Sequence, residues 1–394
     1  MADFLKEALQ LEEQVVAWRR HIHQNAEIGC ELPKTATYVE SVLDSLEIQH
    51  RRFFGCGVAA WIGEGERTVM LRADMDALPG NETSGLPYAC STGAVHACGH
   101  DIHTSMLLGA AKLLQAHRNE LHGRVVLMFQ PGEETGDGCL EMIEAGVLEN
   151  PAPDAAMGLH VDAGAPLGQI AWGQGPTFCS NDVFILTVQG QSCHGARPHQ
   201  GKDALNCAAH LILALETLIA READPSQTDI LTVCSIESSS KAFNIFPENV
   251  VLKGSLRTYN NDQRDYLLAR LQEVCEYTAK TFGCQCQVEF EASMNAVVLD
   301  EPMEEEIKGY LRETLKDEAH LTEKPIRKMG SDDFAGVTCR LPSAYFFVGA
   351  GADREHPYPY IQHNSKVVFN EECLPLGAAA LAGCAEGWLK NHAK

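Results

Sequence analysis

Short apolar runs alternate with helical segments along the first half of this chain. The runs occupy residues 66–76, 123–130 and 154–160, and helical patterns occupy 101–117 and 137–146. Strands buried on both faces appear as continuous apolar runs, and parallel strands are joined through crossover helices. The alternation therefore predicts an α/β fold with a mostly parallel sheet that helices cover on both faces.

Polar side chains directly follow each of these runs. Asp74 and Asp76 end the first run. Glu133 and Glu134 follow the second, and His160 ends the third. Because ligands of open α/β sheets bind outside the carboxyl ends of the strands, we expect these side chains to meet in one crevice.

The pattern changes near residue 178 and changes back near residue 294. Between these points the segments follow the order β-α-β-β-α-β, which is typical of a ferredoxin-like sandwich. We therefore predict a larger discontinuous domain, 1–178 and 294–394, interrupted by an inserted α+β domain, 179–293. At the start of the chain, residues 4–26 predict one amphipathic helix.

Charge and cysteine content exclude several classes of protein. With 31 Lys and Arg against 54 Asp and Glu, the net charge is −23, which disfavours nucleic acids and anionic membrane surfaces. No apolar signal core and no run of about 18 apolar residues is found, so we expect a cytoplasmic protein. The 15 cysteines are an odd number, and we expect no disulfide framework.

The densest group of possible metal ligands is HACGHDIH, residues 96–103. It contains three histidines, one cysteine and one aspartate within eight residues. Cys98 and His100 are two residues apart, so an extended or turn segment would point both side chains the same way. Thiolate and imidazole suit zinc, cobalt, nickel or manganese better than calcium or magnesium. Taken alone, the segment equally fits a polar loop that enters a helix.

The Glu133–Glu134 pair offers both a ligand and a base. Adjacent carboxylates in a turn splay apart, so one can bind a metal while the other faces a metal-bound water and takes its proton. The alternative is a solvated acidic turn, but the apolar strand before the pair and the glycines around it argue against that. His160 alone would fit a buried core histidine, and its place at a strand end makes it a candidate ligand.

Nine motifs, in order along nearly the whole chain, resemble the metal-dependent amidohydrolases and aminoacylases of the peptidase M20 family. The resemblance is strongest to the branch of hippurate hydrolases, N-acyl-amino-acid deacylases, N-acetyldiaminopimelate deacetylases and plant auxin-conjugate hydrolases. The motifs are WRRHIHQNAEIGCEL (18–32), RADMDALP (72–79), ACGHDIH (97–103), FQPGEETGDG (129–138), MGLHV (157–161), SCHGARPHQGKDA (192–204), NIFPENVVLKGSLRTY (244–259), GSDDF (330–334) and IQHNSKVVF (361–369).

This resemblance implies a centre of two divalent ions, which would be manganese, zinc, nickel or cobalt. Cys98 would bridge the ions as a thiolate. The remaining ligands would be His100, Glu134, His160 and His363. Glu133 would act as the general base, and Asp76 would orient a ligand. More distant relatives have a metal-binding histidine where this chain has Asp74, and His100 resembles its substitute.

The resemblance also gives roles to the inserted domain, as a lid and a dimerisation domain. His194 matches the family histidine that reaches the partner subunit's active site and helps hold the oxyanion. Asn244 and Arg257 match substrate-binding positions, and His199 lies close to His194 in sequence as a further substrate-binding candidate. A homodimer or larger homo-oligomer would follow.

The implied activity is metal-dependent hydrolysis of the amide bond of N-acyl amino acids, acetyl or aroyl. A metal-bridged water would attack, and a carboxylate and a free amino acid would leave. One alternative is a dipeptidase or carboxypeptidase on the same scaffold, although the Cys98–His100 pattern favours the amidohydrolase branch. The other is a catalytically silent binding protein, against which the intact set of ligand candidates argues.

Overall fold

The computed structural model describes residues 2–393, the side chain of Asp317 excepted. The helices are α1 (Phe4–Gln10), α2 (Glu12–Gln24), α3 (Pro33–Ser45), α4 (His100–Ala116), α5 (Gly138–Glu144), α6 (Ala204–Thr217), α7 (Asn261–Thr281), α8 (Glu301–Leu315), α9 (Ala335–Thr338) and α10 (Cys373–Asn391). The strands are β1 (Gln49–Phe53), β2 (Gly57–Gly63), β3 (Thr68–Asp74), β4 (Leu78–Pro79), β5 (Ala94–Val95), β6 (Arg124–Gln130), β7 (Ala155–Asp162), β8 (Gln169–Trp172), β9 (Pro176–Phe178), β10 (Asn181–Gln189), β11 (Asp229–Ser238), β12 (Asn249–Thr258), β13 (Gln285–Met294), β14 (Val297–Val298), β15 (His320–Leu321) and β16 (Ser343–Gly349).

Contacts divide the chain into two compact units. The first unit comprises 2–175, Leu299–Arg327 and 336–393. The second comprises Pro176–Val298 and Lys328–Ala335. The predicted insertion, 179–293, lies within the second unit.

An eight-stranded sheet forms the centre of the first unit, in the order β1-β2-β6-β3-β7-β16-β8-β15. Its four middle strands, β6, β3, β7 and β16, run parallel. Antiparallel pairing joins β1 to β2, β2 to β6, and β16 to β8. The fold-class prediction of an α/β protein with a mostly parallel central sheet is confirmed.

Burial on both faces explains the apolar runs that mark these strands. Every residue of β3 and β16 is buried, as are all but the first residue of β6. Helices α4 and α10 are themselves buried along most of their length. Because β3, β6 and β7 are parallel neighbours, the polar residues after them lie along one edge of the sheet. Asp74 is level with Gln130 in this register.

The helix predicted over residues 4–26 is wrong in one respect, because it is two helices. The turn at Leu11 separates α1 from α2, and the N–H of Leu11 bonds to the carbonyl of Ala8 at 3.0 Å instead of to the residue four before it. Buried residues lie on both sides of this turn, Phe4 on α1 and Trp18 on α2 among them. The apolar spacing therefore continues across a break that it does not itself reveal.

The second unit contains a four-stranded antiparallel sheet in the order β11-β12-β10-β13. Helices α6 and α7 follow β10 and β12 in the chain, which gives the β-α-β-β-α-β order. Buried and partly buried residues alternate along β10, where Phe184, Leu186 and Val188 pack with α6 and α7 in a separate core. Strand β11 is an edge strand of this sheet.

One segment of the described chain, Ala204–Glu222, has the length and composition of a membrane span. It covers 19 residues with a mean hydropathy of 1.3. It consists of α6 and one π-helical turn, and its inner side, including Leu211 and Leu215, belongs to the core of the second unit. A core helix passes the same test, so the observation is weak evidence for a membrane.

Candidate metal centre

A sharp turn at Gly99 carries the chain from Cys98 into α4, which begins at His100. The φ of Gly99 is +98°, in the left-handed region, and a Cβ there would lie 2.4 Å from Cγ1 of Val161. Only glycine fits this combination of conformation and space. Cys98 and His100 are both buried beside the carboxyl ends of β3 and β7.

Two groups of potential metal donors share the sulfur of Cys98. In the first, the donor atoms of Cys98, His100 and His160 all lie within 4.8 Å of one another, and the Cys98 Sγ to His160 Nε2 distance is 3.3 Å. In the second, Cys98, Glu134 and His363 meet the same limit. His363 Nε2 lies 3.7 Å from Glu134 Oε1. The five predicted ligands therefore converge within the first unit.

The ring of His160 is fixed in the tautomer that a ligand needs. Its Nδ1 lies 2.6 Å from the carbonyl oxygen of Val161, a contact that requires the proton on Nδ1. The lone pair of Nε2 then points toward Cys98. Burial and the nearby ring of His103 keep the pKa of His160 well below its ordinary value, so the neutral imidazole prevails.

Several buried atoms in this cluster have no hydrogen-bond partner. Neither ring nitrogen of His100 has one, and neither has Glu134 Oε1. His100 Nε2 lies 3.7 Å from both Asp74 Oδ2 and Glu133 Oε2. Buried polar groups are otherwise almost always paired, so these atoms mark a place for a bound group.

The protonation states of Cys98 and His100 indicate that the cluster would bind a cation. Burial raises the pKa of the Cys98 thiol, so the thiolate needs a neighbouring cation to form. Burial opposes a charge on His100, yet the negative charge of Asp74 raises its pKa well above the ordinary value. A divalent ion would take the place of these protons. A set of thiolate, imidazole and carboxylate donors thus fits divalent transition metals.

Asp76 holds the turn that carries both glutamates. Its Oδ1 accepts the backbone N–H of Glu133 at 3.0 Å, and its Oδ2 accepts that of Glu134 at 3.1 Å. His100 Nδ1 lies 3.4 Å from the same Oδ1. In this turn Gly132 has a φ of +69°, and a Cβ there would lie 2.3 Å from Cys30 Sγ. One carboxylate therefore sets the positions of Glu133 and Glu134.

Sequence reasoning missed the side chains that hold Asp74. Its Oδ1 lies 2.6 Å from His103 Nδ1, and its Oδ2 accepts a hydrogen bond from Arg72 Nη1 at 2.8 Å. The other ring nitrogen of His103 accepts the N–H of Val161. A signal was present in HACGHDIH, where His103 lies three residues after His100 on one helix face. For Arg72, full burial inside an apolar strand could be predicted, but its partners could not.

The remaining predicted residues lie in the second unit. His194 and Asn244 are exposed, and the Asn244 carbonyl accepts the N–H of Gly195 at 2.7 Å, so these two segments run side by side. Arg257, on β12, donates from Nη1 to the carbonyl of Met329 at 3.4 Å. His199 lies exposed in a 3₁₀ turn, Pro198–Gln200. The structure therefore brings His194 next to the Asn244 segment and places His199 in a separate turn.

A sequence profile of peptidase family M20/M25/M40 matches residues 70–387. The chain belongs to this family.

Other family members are similar over most of this M20 chain. The IAA-amino acid hydrolase ILR1-like 4 of Arabidopsis thaliana is 35% identical over 382 residues, 95% of this chain and 86% of that protein. The N-acetyl-L-cysteine deacetylase of Bacillus subtilis (strain 168) is 35% identical over 353 residues, 89% of this chain and 83% of that protein. Thermostable carboxypeptidase 2 of Saccharolobus solfataricus is 31% identical over 382 residues, 95% of each chain.

Among solved structures, the Bacillus subtilis protein YXEP, described as a dinuclear metal binding peptidase from the M20 family, has the same fold. Its TM-score is 0.82 at 24% identity, and the match covers 97% of this chain and 99% of that one. Family membership and the donor groups together make this M20 chain a metal-dependent amide hydrolase that binds divalent metal.

Proposed function

We propose that this enzyme hydrolyses the amide bond of N-acyl amino acids, acetyl or aroyl, and releases a carboxylate and a free amino acid. The observation that carries the proposal is the pair of donor groups that share Cys98, with Glu133 beside them. Two of the relatives support it, because their names denote an IAA-amino acid hydrolase and an N-acetyl-L-cysteine deacetylase.

Two divalent ions would bind at these donor groups, and manganese, zinc, nickel and cobalt all suit them. Cys98 would be the shared ligand. The other four ligands would be His100, Glu134, His160 and His363. When bound, divalent ions of this kind polarise the scissile carbonyl and make water acidic enough to attack near neutral pH.

Glu133 would be the general base. Its backbone is held by Asp76, and its Oε2 lies 3.7 Å from His100 Nε2, so the carboxylate lies beside the donor groups that share Cys98. It would accept the proton of the attacking water and deliver that proton to the leaving nitrogen, as a general base and then a general acid. Asp76 would act by orienting Glu133 and Glu134.

Substrate binding would fall to residues of the second unit. The guanidinium of Arg257 is partly exposed and matches a carboxylate in shape and charge, which suits the free carboxylate of an acyl amino acid. Asn244 and His199 would add polar contacts. The exposed ring of His194 would help hold the oxyanion, because its Nδ1 already accepts the N–H of Ala196 and its Nε2 is then the proton-bearing nitrogen.

Association with a second copy of the chain is part of the proposal. Strand β11 is an edge strand with exposed Ile230 and Ile236, and α6 exposes Leu205 and Leu213. Exposed apolar side chains beside an unpaired edge favour pairing with another chain. A cytoplasmic location is also proposed, because no disulfide joins any of the fifteen cysteines, all of which lie in the described residues.

A peptidase is the second candidate, because the chain is 31% identical to a thermostable carboxypeptidase over 95% of its length. One assay separates the two. Protein reconstituted separately with manganese, zinc, nickel or cobalt is given acetyl, benzoyl and indolylacetyl derivatives of one amino acid, and dipeptides of the same amino acid. We expect faster turnover of an N-acyl amino acid with at least one metal. Faster dipeptide cleavage with every metal would favour the peptidase, and no turnover at all would favour a silent binding protein.

A further inference from the structure

A buried network of charged side chains joins α2 to the first turn of α4. Arg19 and His23 lie four residues apart on one face of α2, and both reach the carboxylate of Asp101. Arg19 Nε donates to Asp101 Oδ2 at 2.6 Å, and His23 Nδ1 lies 2.8 Å from the same oxygen. The side chains of all three residues are at most 4% exposed. Charge-assisted hydrogen bonds of this kind fix a buried carboxylate closely.

The same two residues are held at their other ends by separate segments of the chain. His23 Nε2 lies 3.0 Å from Glu82 Oε2. Arg19 Nη1 donates to the hydroxyl of Tyr88 at 2.6 Å and to Glu371 Oε1 at 3.1 Å. Asp101 is therefore connected through Arg19 and His23 to parts of the chain well outside α4.

Asp101 is the residue after His100 and lies in the first turn of α4. The N-cap residue of this helix is Gly99, which has no side chain to cap it. Neither ring nitrogen of His100 makes a hydrogen bond, and Nδ1 has only a longer contact of 3.4 Å with Asp76 Oδ1, so the direction of the ring also depends on the backbone that carries it. The carboxylate of Asp101 ties that backbone to α2, and a negative charge at a helix start also suits the helix dipole.

We propose that Arg19 and His23 are positioning residues which, through Asp101, set the orientation in which His100 binds a divalent ion. The inference rests on the proposed function, since it takes His100 as a metal ligand. Arg19 and His23 would not touch the ions or the substrate. Partners that orient a ligand commonly change metal affinity about 10- to 100-fold when they are removed.

Two variants of His23 separate positioning from general stabilisation. The amide nitrogen of asparagine lies near the place of the histidine Nδ1, and that of glutamine near the place of Nε2. His23→Asn therefore keeps the hydrogen bond to Asp101 and loses the one to Glu82, and His23→Gln does the reverse. Both lose the imidazolium charge and one buried contact, so a purely structural role predicts the same change in both.

The experiment uses the full chain loaded with cobalt. Release of cobalt to a chelator, the thiolate-to-cobalt absorption band and the melting temperature are measured for each variant. We expect about tenfold faster release and a shifted band in His23→Gln, and values close to wild type in His23→Asn. The melting temperatures should fall by similar amounts. Equal release rates and equal spectra in the two variants would overturn the inference.

Arg20→Gln is the matched control, because Arg20 lies next to Arg19, bonds to Glu371 and has no bond to Asp101. Its release rate should match wild type. If the His23 variants do not fold, Tyr88→Phe removes one hydrogen bond of Arg19, and a release rate identical to wild type would count against the inference. A wild-type chain that binds no divalent ion would contradict the proposed function itself, whereas a wild-type release rate in every variant contradicts only the positioning role.

Discussion

The sulfur of Cys98 lies 3.3 Å from Nε2 of His160, and both atoms are directed into the donor cluster. Burial raises the pKa of the thiol, so at neutral pH the sulfur would remain protonated unless a cation is next to it. The tautomer of His160 leaves its Nε2 lone pair available at the same place. The proposed role of Cys98 as the ligand shared by both metal ions depends on the position of these two atoms.

Replacing Cys98 by alanine should therefore remove metal as well as activity. Metal content after dialysis, measured by mass spectrometry, should fall by at least one ion per chain, and turnover should fall to background. Cys139→Ala is the control, because Cys139 is fully buried and lies outside both donor groups. A Cys98→Ala protein with two bound ions and no activity would instead favour a nucleophilic cysteine.

Glu133 and Glu134 are adjacent, and the proposal gives them different roles. Glu133→Gln should keep its metal and lose about 100- to 10,000-fold in kcat, the usual contribution of a general base. Glu134→Gln should lose metal, because its carboxylate lies 3.7 Å from His363 in the second donor group. Metal content and kcat of the two variants are compared side by side. Equal metal loss in both, or full activity in Glu133→Gln, would contradict the assignment.

Asp76→Asn tests the turn that carries these glutamates. An amide keeps one acceptor oxygen and loses the other, so only one of the two backbone N–H groups keeps its partner. We expect metal affinity or kcat to fall about 10- to 100-fold. Asp154→Asn is the control, since Asp154 also accepts a backbone N–H but at the opposite end of β3. A Asp76→Asn enzyme with normal metal affinity and kcat would show that the turn holds without it.

The sequence indicated which strand ends carry candidate site residues, but it did not indicate which side chains hold those residues in place. Glu134 follows β6 and His160 lies near the end of β7, two strands that apolar runs already mark, so their proximity follows from the parallel order of β6, β3 and β7. Cys98 comes instead from the turn before α4, which no apolar run marks. The side chains that bond to Asp74 could not be predicted in this way. Arg72 and His103 meet Asp74 because a strand and a helix pack together, and no spacing in the sequence specifies that contact.

The edges of the fold were also hard to predict. Strand β1 is an edge strand with only one fully buried residue, Phe53, and its polar sequence has no apolar run. The break between α1 and α2 likewise leaves the apolar spacing intact. Periodicity reports which faces are buried, and it carries little information where an element is exposed or where a helix turns without losing its buried face.

The network around His23 predicts a pH dependence of stability. Burial opposes a charge on His23, but Asp101 and Glu82 raise its pKa to about 9, against the positive charge of Arg19. The unfolded chain has an ordinary pKa of about 6.5. Protonated His23 therefore adds about 3 kcal/mol to the free energy of unfolding below pH 6.5. This contribution declines as the pH rises toward 9 and is lost above that.

This dependence is measured as the free energy of unfolding between pH 6 and pH 10, for the metal-loaded wild type and for metal-loaded His23→Asn, the variant expected to bind metal as wild type does. The difference between the two proteins isolates His23, since other groups titrate in both. We expect that difference to shrink as the pH rises from 6.5 to 9. A difference that stays constant over this range would contradict a charged His23 between Glu82 and Asp101.

Leu213→Glu tests the proposed association through the second unit. Leu213 lies on α6 and is 67% exposed, so a glutamate there should leave the fold of a single chain intact. In a dimer that covers this face, the glutamate would be buried without a partner, at a cost that disfavours association. We expect sedimentation velocity to show a dimer for wild type and a monomer for the variant.

Tyr277→Glu is the matched control, because Tyr277 is 64% exposed on α7, which packs toward β13 and away from the β11 edge. It should remain dimeric, and a wild type that sediments as a monomer at micromolar concentration would contradict the association itself.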